Sequence, residues 1–438
     1  MWYKKEIHLE QILNFLIKAF LFLLPWQTIW IYREVSTHGY KLQWGTLGFY
    51  ATEILLWSIV LVFLGWFWQK KKAKFRDLKF QISRDRIFVF SILLFTIYVL
   101  LSSVWALDSQ LAWQHGLRIM EGFLLFFILF LGPLDFKSMA RWLILGSILP
   151  VLLGIFQFVW QSSLACKWLG LAGYDSSLAG ASIVSGTGLG RLLRAYGSLN
   201  HPNIFGGYLV IVILFLSLFS LKVRDKKFKI ILFFTYCLLL TTLFFTFSRS
   251  ALLALPVVLI IYYLSEKKLV LKHFFYKASL TILPIIILIL ILIPVLAVRV
   301  SGTSANEIES ITERKNQVGE SIDIFKNNMW LGVGAGNYTL ALYEQNPNLP
   351  GWQYQPVHNV GLLLFSELGI VGIILIVCVF VSFIILNFSF IRKYLLLSIL
   401  LLVVYCLLMC FDHYLYTSYV GLMLSGLYWG VLSKYNTQ

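Results

Sequence analysis

The chain has 438 residues, of which 59% are hydrophobic and 13% charged, about half the charged share of a soluble domain, so water is not its main solvent. Its 36 Lys+Arg outnumber its 20 Asp+Glu, but the basic residues fall in short runs between apolar stretches, which excludes nucleic acid as partner and points to membrane topology. Of the five cysteines, four lie inside apolar segments, leaving neither a disulfide framework nor a metal-finger spacing.

Apolar stretches near the ~20 residues that cross a bilayer fall at 9–32, 48–68, 87–105, 117–133, 140–160, 203–221, 229–246, 250–264, 278–298, 358–388, 394–411 and 417–433. They predict an all-α polytopic transmembrane helix bundle of about twelve spans, a single integral membrane domain over 1–438. The first stretch is too long for a signal-peptide core and has no small-residue cleavage site. Basic runs follow even-numbered spans: Lys70 to Arg86 after the second, Lys222 to Lys229 after the sixth, Lys267, Lys268, Lys272 and Lys277 after the eighth, Arg392 and Lys393 after the tenth. The positive-inside rule then makes both termini cytoplasmic and the long loops at 161–202 and 299–357 extracytoplasmic. In the second loop, Ile308, Ile311, Val318, Ile322 and Phe325 recur at helical spacing. They predict an amphipathic helix over 307–325 lying against the bundle, so that loop is largely helical. The glycines at 332–336, with Pro347, Pro350 and Pro356, mark turns. There is no internal repeat and no inverted pair of broken spans.

Translocated loops are poor in arginine, so Arg191, Arg194, Arg249 and Arg314 stand out. Arg249 sits in the only polar break between two spans, Thr246 to Ser250, which pins its guanidinium at the membrane face; a snorkelling interfacial role is the plainer alternative. Arg191 and Arg194 precede the sixth span, whose start Asn200 to Asn203 can cap, adding the positive end of a helix to the same corner. A lipid-phosphate contact would also account for Arg191. His358 and Asn359 open the tenth span, and an imidazole with a pKa of ~6.5 can take a proton from a hydroxyl at neutral pH. Glu367 lies nine residues further on and needs a partner, either an arginine of this corner or a plain interhelical hydrogen bond. Glu121, one turn after Arg118, predicts a local ion pair. The other histidines, His201 and His413 among them, are scattered without nearby carboxylates, so no metal site is expected. The glycine strings at 186–190 and 332–336 lack a preceding strand and a Walker lysine.

Several motifs carry a resemblance. His358-Asn359, nine residues, then Gly369-Ile370-Val371-Gly372; Arg249 to Leu253 as Arg-x-x-x-Leu; Arg194 to Gly197 with His201-Pro202-Asn203; and Trp330 to Tyr338 are similar to stretches of bacterial O-antigen ligases and the related polysaccharide polymerases. From about residue 90 to 430 the chain resembles that family of membrane glycosyltransferases. The resemblance implies a glycan donor on undecaprenyl pyrophosphate and an acceptor hydroxyl on lipid A-core, another glycan or a protein. It also implies an inverting, metal-independent transfer without cofactor, at the extracytoplasmic face of a bacterial inner membrane. Arg194 and Arg249 would bind the pyrophosphate, with Arg191 and Arg314 second in rank. His358 would be the catalytic base, supported by Asn359, Glu367 and Asn203. Trp352, Tyr354, Tyr338 and Tyr343 would stack on sugars, or form the interfacial aromatic belt. Within the family, polymerase and protein-directed transferase are alternatives to ligase. From other classes, a lipid or polysaccharide transporter would need paired charges at the midplane, and a structural export subunit would give these residues no reason to gather.

Overall fold

The computed structural model describes residues 2–37, 40–41, 45–73, 82–186, 190–264, 271–302 and 305–437. The basic residues Lys74, Arg76, Lys79, Lys267 and Lys268, and the middle of the 186–190 glycine string, lie outside them. In chain order the elements are α1 (Trp2–Leu23), β1 (Ile29–Arg33), β2 (Ser36–Thr37), β3 (Tyr40–Lys41), β4 (Leu47–Tyr50), α2 (Ala51–Ala73), α3 (Ile82–Leu101), α4 (Ser109–Leu131), α5 (Phe136–Trp160), β5 (Ile183–Gly186) and β6 (Gly190–Leu193). There follow α6 (Pro202–Ser220), α7 (Lys226–Phe245), α8 (Arg249–Leu264), α9 (Leu271–Ser301), α10 (Ala305–Asn327), α11 (Tyr338–Gln345), α12 (Val360–Leu386), α13 (Phe388–Lys393), α14 (Leu395–Cys410), α15 (Tyr414–Thr417) and α16 (Tyr419–Thr437).

A helix stands at each of the twelve predicted spans. Among the described residues, seven of them (α2 to α7 and α12) are long and apolar enough to cross a membrane; α8, α14 and the Ile282–Val298 stretch of α9 are apolar but shorter. The protein is therefore a multi-pass helical bundle, with two corrections. The first span does not reach residue 32: α1 stops at Leu23, just before Pro25, whose ring disfavours helix in the residue ahead of it. Ile29–Arg33 then pairs antiparallel with Leu47–Tyr50. Nor does the 186–190 glycine string lack a preceding strand: β5 leads into it and forms a hairpin with β6 that ends one residue before Arg194.

α6 is the centre of the bundle, with 89% of its apolar window buried. Apolar burial drives helices together only weakly in lipid, so close approach at small residues matters more. α4 and α16 show it: a Cβ at Gly426 would stand 2.2 Å from the Gly122 carbonyl oxygen. α12 is broken at Gly369, where the glycine half of the His358 motif begins. Gly369 has φ 62 and ψ −169, which frees backbone groups that the 329–334 segment takes up. The amides of Val333 and Gly334 donate to the carbonyls of Ser366 (3.0 Å) and Glu367 (2.9 Å), and those of Ile370 and Val371 donate to the carbonyls of Met329 (2.9 Å) and Trp330 (3.2 Å). A Cβ at Gly369 would lie 2.4 Å from the Trp330 carbonyl oxygen, and one at Gly332 2.3 Å from the Glu367 carbonyl. Two motifs far apart in sequence are thus one interlocked unit.

The Arg118 to Glu121 pair predicted within α4 is not formed. Arg118 donates to the Gly48 carbonyl (2.6 Å) and pairs with Glu53 of α2 (3.9 Å), while Glu121 accepts from the Trp57 indole (2.7 Å). Both carboxylates are buried, so each takes the nearest strong donor from another element rather than the exposed geometry of a surface i, i+3 pair.

Candidate functional site

At one end of the bundle, chain segments from five places meet. The segment after β6 docks on the end of α7 through the Ala195 amide, which donates to the Phe245 carbonyl (2.9 Å). The corner between α7 and α8 is tight. Phe247 is buried with φ 46, a left-handed conformation rare outside glycine and often found at functional turns. It turns the Thr246 carbonyl toward Arg194 and starts α8 at Arg249.

Arg194 is 5% exposed and held from three directions. Its Nε donates to the Thr246 carbonyl (2.7 Å), Nη1 to Ser182 Oγ (2.8 Å) and Nη2 to Asn203 Oδ1 (2.6 Å). All three acceptors are uncharged, so the guanidinium is positioned without being neutralised. One N–H on each terminal nitrogen is left over from its five donors. Burial pulls its pKa down to about 10, which still leaves it a cation at neutral pH. Pro202 opens α6 and His201 caps it by accepting from the Asn203 amide (3.2 Å). That leaves the Asn203 side chain to bridge: its Nδ2 donates to Asp412 Oδ2 (2.7 Å).

Asp412 is the residue the sequence reading missed. It is buried in the turn between α14 and α15, and the histidines read as scattered gather around it. His358, Asp412 and His413 bring ligand-type atoms within 4.8 Å of one another. The rings of His358 and His413 pack edge to face at 5.1 Å, and His201 is a third imidazole coupled electrostatically to the carboxylate. Burial alone would raise the Asp412 carboxyl, but the His413, His358 and His201 imidazoles and the His413 amide reverse that and hold it below its usual range. Burial drives His201 and His413 down to about 3. His358 is lowered too, by burial first, against the raising influence of Asp412 and with a further lowering by Arg314. At neutral pH it is an uncharged imidazole. Its Nδ1 is bonded to Gln317 Oε1 (2.8 Å), which leaves its Nε2 as the atom able to work on a ligand, and His413 Nδ1 is bonded to Thr417 Oγ1 (2.8 Å). His358, His413 and Asp412 could hold a metal ion, although the nearby Arg194 and Arg314 charges oppose a further cation.

α10 is the predicted amphipathic helix, but its faces are the other way round. Ile308, Ile311, Val318 and Ile322 are exposed, whereas Glu307, Gln317, Ser321 and Ile324 are buried. In a membrane protein the apolar stripe can face lipid while the polar stripe turns inward. That polar stripe serves the site: Glu307 pairs with Arg249, Gln317 holds His358, and Arg314 acts electrostatically on Arg194, His358 and His413.

The remaining candidates sort as follows. Asn359 caps α12, accepting from the Leu362 amide (3.0 Å), and ties it to α14 through the Cys410 carbonyl (3.1 Å). Arg191 is exposed on β6 and donates to the Ser176 carbonyl (2.7 Å), which fastens it to the 161–202 loop. Glu367 does not anchor an arginine. It accepts from the amides of Gly336 (2.6 Å) and Tyr338 (3.3 Å) and from the Tyr416 hydroxyl (2.7 Å), fastening the glycine turns and α15 to α12. Tyr338 and Tyr354 are buried and Tyr343 half-buried; the Trp352 side chain lies outside the described residues.

Arg249, Arg314, Gln317 and His358 fall within a segment that matches a known family, whereas Arg194, Asn203, Asp412 and His413 lie outside it. Residues 233–377, from α7 through Arg249, α10 and His358 to the broken part of α12, match the O-antigen ligase family. No curated protein matches the chain.

Proposed function

We propose that this chain, whose residues 233–377 match the O-antigen ligase family, transfers a glycan from undecaprenyl pyrophosphate to an acceptor hydroxyl at the extracytoplasmic face of a bacterial inner membrane. Ligation to lipid A-core is the preferred form, polymerisation and transfer to protein the alternatives. The observation that carries this is a buried arginine braced only by uncharged acceptors, linked through Asn203 to a carboxylate that faces a neutral imidazole.

In this reading the pyrophosphate lies against Arg194 and Arg249, whose planar forks suit phosphate oxygens and stabilise the charge that grows on the leaving group. His358 takes the proton of the acceptor hydroxyl as its oxygen bonds to the anomeric carbon. The bond to the glycosyl phosphate oxygen breaks, its electron pair leaves with the pyrophosphate, and in-line attack inverts the centre. Asp412 stabilises the imidazolium that results. Arg314 adds positive potential from α10. Arg191, held on the hairpin, meets the donor's headgroup or bilayer phosphate rather than the reacting centre.

The test is transfer by purified protein from a lipid-pyrophosphate-linked glycan to lipid A-core, saccharide or protein acceptors, followed by mass spectrometry of the product. No product with any of the three overturns the proposal. A metal-assisted version is favoured by one observation only, the His358, Asp412 and His413 grouping. Exhaustive EDTA treatment distinguishes it: we expect transfer to persist, and loss of activity restored by a divalent ion would establish the metal version.

A further inference from the structure

An open cavity lies apart from Arg194 and Arg249. It has about 470 Å³ between the start of α4, the end of β1 and α11, and its walls include Arg33, Asp108, Gln110, Tyr343 and Glu344. Its construction is rigid. Asp108 caps α4 by accepting from the Leu111 amide (3.0 Å) and its own amide donates to Asn337 Oδ1 (2.7 Å). That second bond ties the cavity to the glycine turns that Glu367 holds. Arg33 is ion-paired with Asp108 and donates through Nη1 to Gln110 Oε1 (2.7 Å).

The charges decide what fits. One guanidinium, already paired, stands with two carboxylates, so a phosphate or other anion is disfavoured. Gln110 spends its oxygen on Arg33 and keeps its amide N–H groups; Glu344 keeps its carboxylate oxygens. Beside them the Tyr343 ring and two leucines form an apolar wall. An amide donor, a carboxylate acceptor and an aromatic face suit a ligand with hydroxyls on its rim and C–H groups on its face, which is a neutral sugar ring. The cavity is also linked to the base through one ring contact and a short piece of chain. The Tyr343 ring packs edge to face on Tyr354 at 5.4 Å, and Tyr354 precedes His358 by four residues, at most ~14 Å of extended chain.

We propose that this cavity is the subsite for the acceptor saccharide, holding one ring while the next presents its hydroxyl to His358. The proposal rests on the glycosyl-transfer reading for its role, and on the cavity alone for its ligand class. Two measurements on the full chain in detergent keep these apart. Saturation-transfer NMR with methyl glucoside, methyl galactoside and methyl N-acetylglucosaminide should show contact with wild type and equally with Arg194→Lys, and at least about fivefold less with Gln110→Ala and Tyr343→Ala. In the transfer assay, the same two variants should raise the half-saturating acceptor concentration by about fivefold or more, recover at high acceptor, and leave the donor half-saturation unmoved. No contact in wild type, or contact undiminished in both variants, overturns the subsite. So does a change in donor rather than acceptor half-saturation. Absence of transfer in wild type with the NMR pattern intact would instead overturn the proposed function and leave the saccharide site standing.

Discussion

Two arginines, Arg194 buried and Arg118 partly so, at opposite extremes of how a protein can hold a cation, show what separates the proposed site from the scaffold. Arg118 lies between α2 and α4, paired with Glu53 (3.9 Å) and over the Tyr50 ring (5.3 Å), with Glu121 one turn away. Its charge is spent inside the bundle, and the surroundings are loose enough that Arg118 Nε, Gln114 Oε1, His115 Nε2 and Glu121 Oε2 have no hydrogen-bond partner. Arg194 bonds at 2.6 to 2.8 Å to a carbonyl, a hydroxyl and an amide oxygen, and meets its carboxylate only through Asn203. Uncharged acceptors fix direction without cancelling charge. That is the arrangement an anion-binding arginine needs, since an ion pair already made must be broken before a phosphate can replace it. Arg249 falls between the two, being placed at the site yet paired with Glu307.

The comparison can be broken in several ways. The largest effect belongs to the base: His358→Ala should cut transfer by ~10²- to 10⁴-fold while donor binding, measured separately, holds. Next, Arg194→Lys keeps the charge and loses the fork, and should weaken transfer ~10- to 100-fold; Arg118→Lys should cost thermal stability and leave the transfer rate within ~3-fold. A wild-type rate for Arg194→Lys would erase the distinction drawn here. A smaller effect sharpens the role of Asp412. Because His358 is held below its ordinary value and must be uncharged to accept a proton, the acid limb of the rate profile should lie below pH ~6.5. Asp412 raises that imidazole, so Asp412→Asn should move the limb to still lower pH while reducing the plateau. A limb shifted upward would contradict the assignment. The smallest change is expected at Glu307→Gln, which releases Arg249 and should lower the half-saturating donor concentration a few-fold.

Hydropathy made the bundle legible, because every helix that must sit in lipid announces its length in apolar residues. What it could not say is which way a helix faces. α10 was readable from the spacing of Ile308, Ile311, Val318 and Ile322, but a periodic stripe marks only that one side is apolar; in a membrane protein that side need not be the packed one. The arginines and His358 were readable because charge is rare in such a chain. Asp412 and His413 were not, since they form a dipeptide with no spacing to a partner and acquire meaning only when α6, α12 and α14 bring their ends together. The signal available was topological: the turn before the last span falls on the same predicted face as His358, and Asp412 is the only acid after Glu367. The β1 strand was absorbed into the first span because its Ile, Trp and Tyr residues continue the apolar run past Pro25.

The central claim is that Arg194 and His358 serve one substrate in different capacities, the first binding the leaving group and the second only the acceptor proton. Equilibrium binding of undecaprenyl pyrophosphate without a glycan, to wild type, Arg194→Lys and His358→Ala in the same micelles, tests this most directly. The account predicts equal affinity for wild type and His358→Ala and at least about tenfold weaker binding for Arg194→Lys. Unchanged affinity in Arg194→Lys, or lost binding in His358→Ala, would contradict it.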